Sequence, residues 1–436
     1  MKWLLILLMV VLPLQWFVVA GPLRLHVAMM LVFLLVVGVT HRARALRPVV
    51  RISSAFVVAN LVLTAIWLGT NAYNGIGFGE PVQQIVYLGV FVAVGTVVYR
   101  GVRLDRSGFV RLLRWTALLT SLSLILSLSY SMMVNGVNPV AVFGRTIASG
   151  DPEILQKELF RSAFTGFGYD ESAVRGNFRH EVFGSVLIAM CVSAACVALA
   201  PLTSRGSRFL YRFSITLGAV LLTLSMSRSV MIAALAWPLL GLLGAVLAGR
   251  LSPRLVAATL AAAALTAGLW IVGFLDVLLV RFTQDTSSYE ARDELMAEAY
   301  DNIGRHLLTG GVRTAGASSH NFVVDTWLRT GLFGAAVALV VTVLVFGLFV
   351  GLAVNLQREP SWMQPVIALL ALPLVRLFTA GGGLIPPVQW VALGIVAGFL
   401  AYRADVRRTE RTVADRSDVV ARSTCGGLTG PDERHP

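Results

Sequence analysis

The chain has 436 residues, of which 56% are hydrophobic and only 14% charged, with a mean hydropathy of +0.76. A soluble domain carries about a quarter charged residues, so this composition excludes a set of water-soluble domains and makes lipid the solvent for most of the chain. Cys191 and Cys196 share one apolar run and Cys425 lies in a polar tail, which excludes a disulfide-built scaffold and a Cys/His zinc site. The formal net charge of +13 is explained by where its arginines fall.

Apolar runs long enough to cross about 30 Å of hydrocarbon as helices recur along the chain. They predict twelve spans, at 3–20, 23–40, 52–70, 82–99, 115–134, 182–201, 213–227, 230–249, 255–274, 332–355, 363–380 and 388–402. Run 3–20 exceeds a usual signal-peptide core and lacks a small-x-small cleavage site, so it reads as a first span. Run 213–227 is short and either spans or forms a re-entrant hairpin with its successor. The predicted fold is therefore all-α and polytopic.

Arginines set the orientation, because positive charge in short loops resists translocation. Arg42, Arg44, Arg47 and Arg51 follow the second span, and Arg100, Arg103, Arg106, Arg111 and Arg114 the fourth. Arg205, Arg208 and Arg212 follow the sixth, Arg250 and Arg254 the eighth, and Arg358 the tenth, while the loop 71–81 has no basic residue. Both termini are thus expected in the cytoplasm, and the basic excess reports topology, not nucleic-acid binding. Loops 135–181 and 276–322 are expected outside, inserted into a membrane domain of residues 1–402. Segment 403–436, with seven arginines against six carboxylates and little apolar content, reads as a disordered cytoplasmic tail. No internal repeat is evident, which disfavours transporters built from duplicated halves.

The second outer loop holds most of the suggestive polar groups. Ser287-Ser288-Tyr289-Glu290 has the form of a capping box. Leu295, Met296, Ala299, Ile303 and Leu307 then recur at helical spacing, predicting an amphipathic helix on the outer membrane face that ends at Gly310-Gly311. Ser319 is the expected N-cap of a second helix on which Asn321, Asp325 and Arg329 share a face, with Asp325 and Arg329 as an i, i+4 pair. Carboxylates at Asp151-Pro152-Glu153 and at Asp285, Glu290, Asp293 and Glu294 read as solvated loop and helix surface, so neither a metal nor another cofactor is expected.

His320-Asn321, followed by a ten-residue helix and Gly331-x-x-Gly334 at the head of a span, resembles the signature of the O-antigen ligase and polysaccharide polymerase superfamily. Ser225-Met226-Ser227-Arg228-Ser229 resembles that family's Ser-Arg-small motif, and Arg175-Gly176-Asn177-Phe178-Arg179-His180 its entry to the sixth span. The family's twelve-span layout, with a large outer loop between spans nine and ten, is similar to the predicted one. The resemblance implies a glycosyltransferase of the bacterial cytoplasmic membrane, working on its periplasmic face in lipopolysaccharide biosynthesis. Its donor would be a glycan on undecaprenyl pyrophosphate. Its acceptor would be a lipid A–core hydroxyl for a ligase, or another glycan repeat for a polymerase.

The residues fit that chemistry. Guanidinium forks neutralise diphosphate oxygens bidentately without a metal, and Arg228, Arg281, Arg292 and Arg313 fall at or near the outer ends of spans. An acceptor hydroxyl attacking an anomeric carbon needs a base near neutral pKa, which His320 supplies. His180, Arg376 and Asn321 are further candidates. The plainer readings are interfacial anchoring for the arginines and helix capping for the histidine. The rival of another class is a lipid-linked glycan flippase or transporter, which would place its charges near the midplane rather than at the outer face. An exterior-only thiol reagent should label a cysteine introduced at Gly150 in intact cells. Protection of that position would overturn the orientation.

Overall fold

A computed structural model describes residues 1–14, 17–20, 23–134, 136–151, 154, 171–224, 227–247, 249, 253, 260, 287–312, 321–379 and 386–425. The regular structure in these residues is helical apart from one antiparallel ribbon, β1 (Val18–Ala20) with β2 (Leu23–Arg24). In chain order the helices are α1 (Lys2–Val11), α2 (Leu25–Thr40), α3 (Ala43–Ile52), α4 (Ser54–Tyr73), α5 (Gly79–Leu104), α6 (Arg106–Leu113), α7 (Thr116–Val134) and α8 (Pro139–Ser149). They continue as α9 (Glu171–Leu199), α10 (Arg205–Leu224), α11 (Arg228–Leu247), α12 (Ser287–Arg305), α13 (Phe322–Val354), α14 (Met363–Leu369), α15 (Ala371–Thr379) and α16 (Pro387–Cys425).

Six stretches among the described residues are long and apolar enough to cross a membrane: α4, α5, Arg106–Tyr130, Val182–Leu199, α13 and Pro387–Glu410. Helices α2 and α3, bent by 116°, make a seventh if they count as one span. Length and apolarity on this scale describe a multi-pass membrane protein.

Several expected spans take another form. The first is helical only as far as Val11, passes through a 3₁₀ turn at Leu12–Leu14 and then enters β1. Pro13 sits in that turn, and a proline cannot donate the N–H that would continue the helix. At about 1.5 to 2 Å per residue the piece falls short of the hydrocarbon thickness. The seventh lies within a helix that already begins at Arg205 and carries three arginines in its first turns. The eleventh is divided at Leu370 into α14 and α15. The first outer loop contains α8, and its last residues, from Glu171, are helix continuous with the sixth span. The ninth span, 255–274, lies outside the described residues apart from Leu260.

The centre of the bundle is a parallel pair, α5 with α16. Gly394-x-x-x-Gly398 faces Gly95 so closely that side chains would not fit. A Cβ on Gly398 would lie 2.6 Å from the Gly95 carbonyl oxygen, and one on Gly394 would lie 2.7 Å from that of Phe91. In lipid, where burying apolar surface gives no advantage over the tails, such small-residue contacts let backbones approach and supply the packing energy. Trp390, fully buried, packs on Phe56 and Phe91 with ring centroids 5.8 and 6.4 Å away.

Polar ties close one end of this pair. Tyr99 donates to Asp405 at 2.7 Å, and the Arg103 Nε lies 3.3 Å from the same carboxylate. Glu359, in the turn after α13, is buried between Arg403 and Arg407. Lys2 meets Asp105 at 3.0 Å, and Asp105 caps α6 through the Gly108 N–H; these two hydrogen bonds hold its carboxyl below the usual carboxylate range. In the segment expected as a disordered tail from residue 403, the chain is helical as far as Cys425, and Arg403, Asp405 and Arg407 at its start meet partners on α5 and after α13; 426–436 lie outside the described residues.

Replacing Gly398 with valine should cost about 1–3 kcal/mol by overpacking and lower the melting temperature in detergent. An unchanged melting temperature would mean that the glycine contact does not hold α5 to α16.

Candidate functional site

The end of the bundle away from these ties is built on a break in α13. Gly331 has φ 73° and ψ −172° inside an otherwise helical run, a region open essentially to glycine alone. The backbone groups around the break find partners in the preceding loop. Gly311 and Val312 donate to the carbonyls of Arg329 and Leu328 at 3.1 and 3.0 Å, and Leu332 donates to that of Leu307 at 3.0 Å. The Trp327 indole N–H reaches the same Leu307 oxygen at 3.0 Å. Buried main-chain groups must be paired, and this exchange pairs them while locking 307–312 onto the helix.

Glycine is required on both sides of the contact. A Cβ on Gly331 would overlap the Leu308 carbonyl, and one on Gly310, at φ +57°, would lie 2.7 Å from the Thr330 nitrogen. The loop is held from a second side by Asn74 at the end of α4, whose amide donates to the carbonyls of Thr70 at 2.9 Å and Thr309 at 3.3 Å.

Helix α12 packs against the head of α13. Its buried Ala299 and Ile303 meet Leu328, with Val312, Val324 and Trp327 around them. Two residues of the predicted apolar stripe thus find their partner on α13. Leu307, at the end of the stripe, is 46% exposed.

The N-cap of α13 is Asn321, not Ser319. Its side-chain oxygen accepts from the Val323 and Val324 N–H groups at 2.9 and 3.3 Å, satisfying donors that a helix start leaves open. Arg329 reaches Glu80 on α5 at 3.2 Å and covers the Trp67 ring of α4 at 5.5 Å. It therefore ties α13 to α4 and α5, whereas its sequence spacing pointed to a pair with Asp325, which is itself buried. A guanidinium already neutralised in this way is a structural tie rather than an anion site.

Of the catalytic and donor-binding candidates, His320, Arg281 and Arg313 lie outside the described residues. The residues flanking 313–320 are described: Val312 is bonded to Leu328, and Asn321 caps the same helix, so both flanking residues sit on the head of α13. Arg228 is the first residue of α11, between buried Ser227 and Ser229. His180 lies on α9 and Arg292 on α12. Arg376, on α15, is 1% exposed, and a charge held this deep in a membrane protein is costly to bury.

Helix α11 packs against α9 and α15, so the elements carrying Arg228, His180 and Arg376 are neighbours; α15 also packs on α13. Arg292 and Asn321 sit on the packed pair α12 and α13. Sequence reading missed Trp67, Asn74 and Glu80 as parts of this end. Their roles come from contacts across 235 to 249 positions in Asn74–Thr309 and Arg329–Glu80, for which the local sequence carries no signal. Among the described residues no three His, Cys, Asp or Glu side chains are grouped to hold a metal ion. Pro152, Glu153 and Asp285 lie outside those residues.

No family model matches the chain, and no curated protein matches it.

Gly331→Ala should cost about 1–3 kcal/mol through its backbone conformation, with more from the overlap at Leu308. Hydrogen exchange at the Gly311 and Val312 amides should then accelerate strongly relative to the α5 amides. Wild-type protection at both positions would show that the loop is held by something other than the break.

Proposed function

We propose that the protein is a membrane glycosyltransferase of the O-antigen ligase type, moving a glycan from undecaprenyl pyrophosphate to a lipid A–core hydroxyl. The observation that carries this reading is that Val312 and Asn321, the residues on either side of 313–320 with its Arg313 and His320, both sit on the head of a span-length helix. Reacting groups must be held in near-attack geometry, and a helix end whose flanking residues are hydrogen-bonded is a fitting place for a base. The resemblance of the His320-Asn321 and Gly331-x-x-Gly334 motifs supplies the reaction class.

In this reading the chain crosses the bacterial inner membrane twelve times with both termini cytoplasmic, and the head of α13 faces the periplasm. Arg228 and Arg281, with Arg292 and Arg313 near them, neutralise the donor diphosphate; Arg376 and His180 line the same space. The acceptor oxygen attacks the anomeric carbon, the bond from that carbon to the diphosphate oxygen breaks, and undecaprenyl pyrophosphate leaves on its lipid. The acceptor proton passes to His320, a base near neutral pKa. No metal is required, since the arginines carry the countercharge.

Purified protein with a lipid-linked oligosaccharide and a lipid A–core acceptor tests this. His320→Gln keeps hydrogen bonding but cannot take a proton, so transfer should fall by about 10²-fold or more with donor binding retained. Arg228→Lys and Arg281→Lys keep charge but lose the fork, and should reduce transfer while insertion persists. Activity should survive excess EDTA. Near-normal transfer by the glutamine variant would refute the general-base assignment, and EDTA inhibition reversed by Mg²⁺ would refute the metal-free one.

A further inference from the structure

The structure assigns a second lipid site to the other end of the bundle: a cleft at the α3–α4 break that takes an acyl chain of an anionic glycerophospholipid, with Arg47, Arg51 and Arg408 on its phosphate. Helix α5 measures the separation from the glycan site. Glu80 in its first turn meets Arg329 and Arg103 in its last meets Asp405, and at 1.5 Å per residue along the helix these lie about 35 Å apart. The inference does not depend on the glycosyltransferase reading.

The cleft follows from a local backbone event. Helices α3 and α4 are separated by the single residue Ser53, at φ −108° and ψ 18°. Its hydroxyl donates back to the Val49 carbonyl at 2.8 Å, a bond that bends helices. Where the chain turns, the two helices fail to close on α13 and α16. A cavity of about 230 Å³ remains, lined by Ile52, Ala55 and Phe56 at the break and by Leu348, Val396 and Leu400 opposite. Ile52 also lines an adjoining open vestibule of about 880 Å³, whose walls carry Arg47 and Arg51 on one side and Asp405 and Arg408 on the other. The apolar cleft and the charged vestibule thus lie side by side, with Ile52 in the wall of both.

Charge selects the occupant. Asp405, the one carboxylate in the vestibule lining, is already engaged by Tyr99 and Arg103. Among the described residues no carboxylate forms an ion pair with Arg47, Arg51 or Arg408. Three cations at the mouth of an apolar cleft complement a molecule with a phosphate at one end and hydrocarbon at the other. Guanidinium forks suit phosphate oxygens, and basic pockets between helices beside the anionic leaflet bind such headgroups. In the orientation proposed above this is the cytoplasmic leaflet.

Native mass spectrometry of the full-length protein from detergent tests the site with dioleoylphosphatidylglycerol and dioleoylphosphatidylcholine. The wild type should retain one phosphatidylglycerol with a preference over phosphatidylcholine of about tenfold or more. The triple variant Arg47→Gln, Arg51→Gln, Arg408→Gln should lose that preference, and the remaining basic residues Arg42, Arg44, Arg100 and Arg103 keep the orientation signal. Leu348→Trp fills the cleft without touching charge and should reduce retention of the same lipid by a similar factor. Inorganic phosphate should not displace it. Equal retention of the two lipids, wild-type retention by either variant, or displacement by phosphate, which would mark a simple anion site, would overturn the assignment.

Discussion

A helix that must break inside a membrane protein leaves main-chain groups that lipid cannot satisfy, and α13 resolves this by borrowing from the loop before it. At Gly331 the carbonyls of Leu328 and Arg329 accept from Val312 and Gly311, and the Leu332 N–H donates to Leu307. Every other feature of this end depends on that exchange. It fixes 307–312, it turns α12 so that Ala299 and Ile303 pack on Leu328, and with the Asn321 cap it sets both ends of the segment containing Arg313 and His320.

The frame beneath is set by a different economy. Helices α5 and α16 run parallel with glycine on glycine, so their backbones touch and the packing is close without large side chains. The Glu359, Asp405 and Asp105 ties then gather the charged residues at one end of the bundle, while the Arg329–Glu80 pair secures the other. Among the described residues these ion pairs thus fall at two ends of the bundle, and Arg376 is buried apart from them.

Where periodic apolar sequence met helix in a single piece, as over 54–70, 82–99 and 332–354, the spans were legible, because nothing competes with a long apolar run in lipid. Legibility ended where a distant partner decided the outcome. The polarity of 403–425 points to solvation, but Glu359 and α5 supply partners for its first charges, Arg403, Asp405 and Arg407. Asp325 and Arg329 have ideal helical spacing, yet Glu80 and Trp67 hold the guanidinium from other helices. The Gly331-x-x-Gly334 motif is visible as a pattern, whereas its physical reason, a glycine-only conformation pressed against a loop carbonyl, exists only once residues 307–312 are in place. Ser319 and Asn321 both fit a cap by type, and the helix start decides between them.

The central claim is that the head of α13 is where a lipid-linked diphosphate glycan binds. A polyprenyl diphosphate glycan carrying a photoreactive group next to its diphosphate tests that claim most directly, with cross-linked peptides mapped by mass spectrometry. The account predicts labelling concentrated within 306–332 and at the start of α11, and competed by unlabelled donor. Labelling centred on the opposite end, around 43–52 and 401–408, or spread evenly along the bundle and insensitive to competitor, would contradict it.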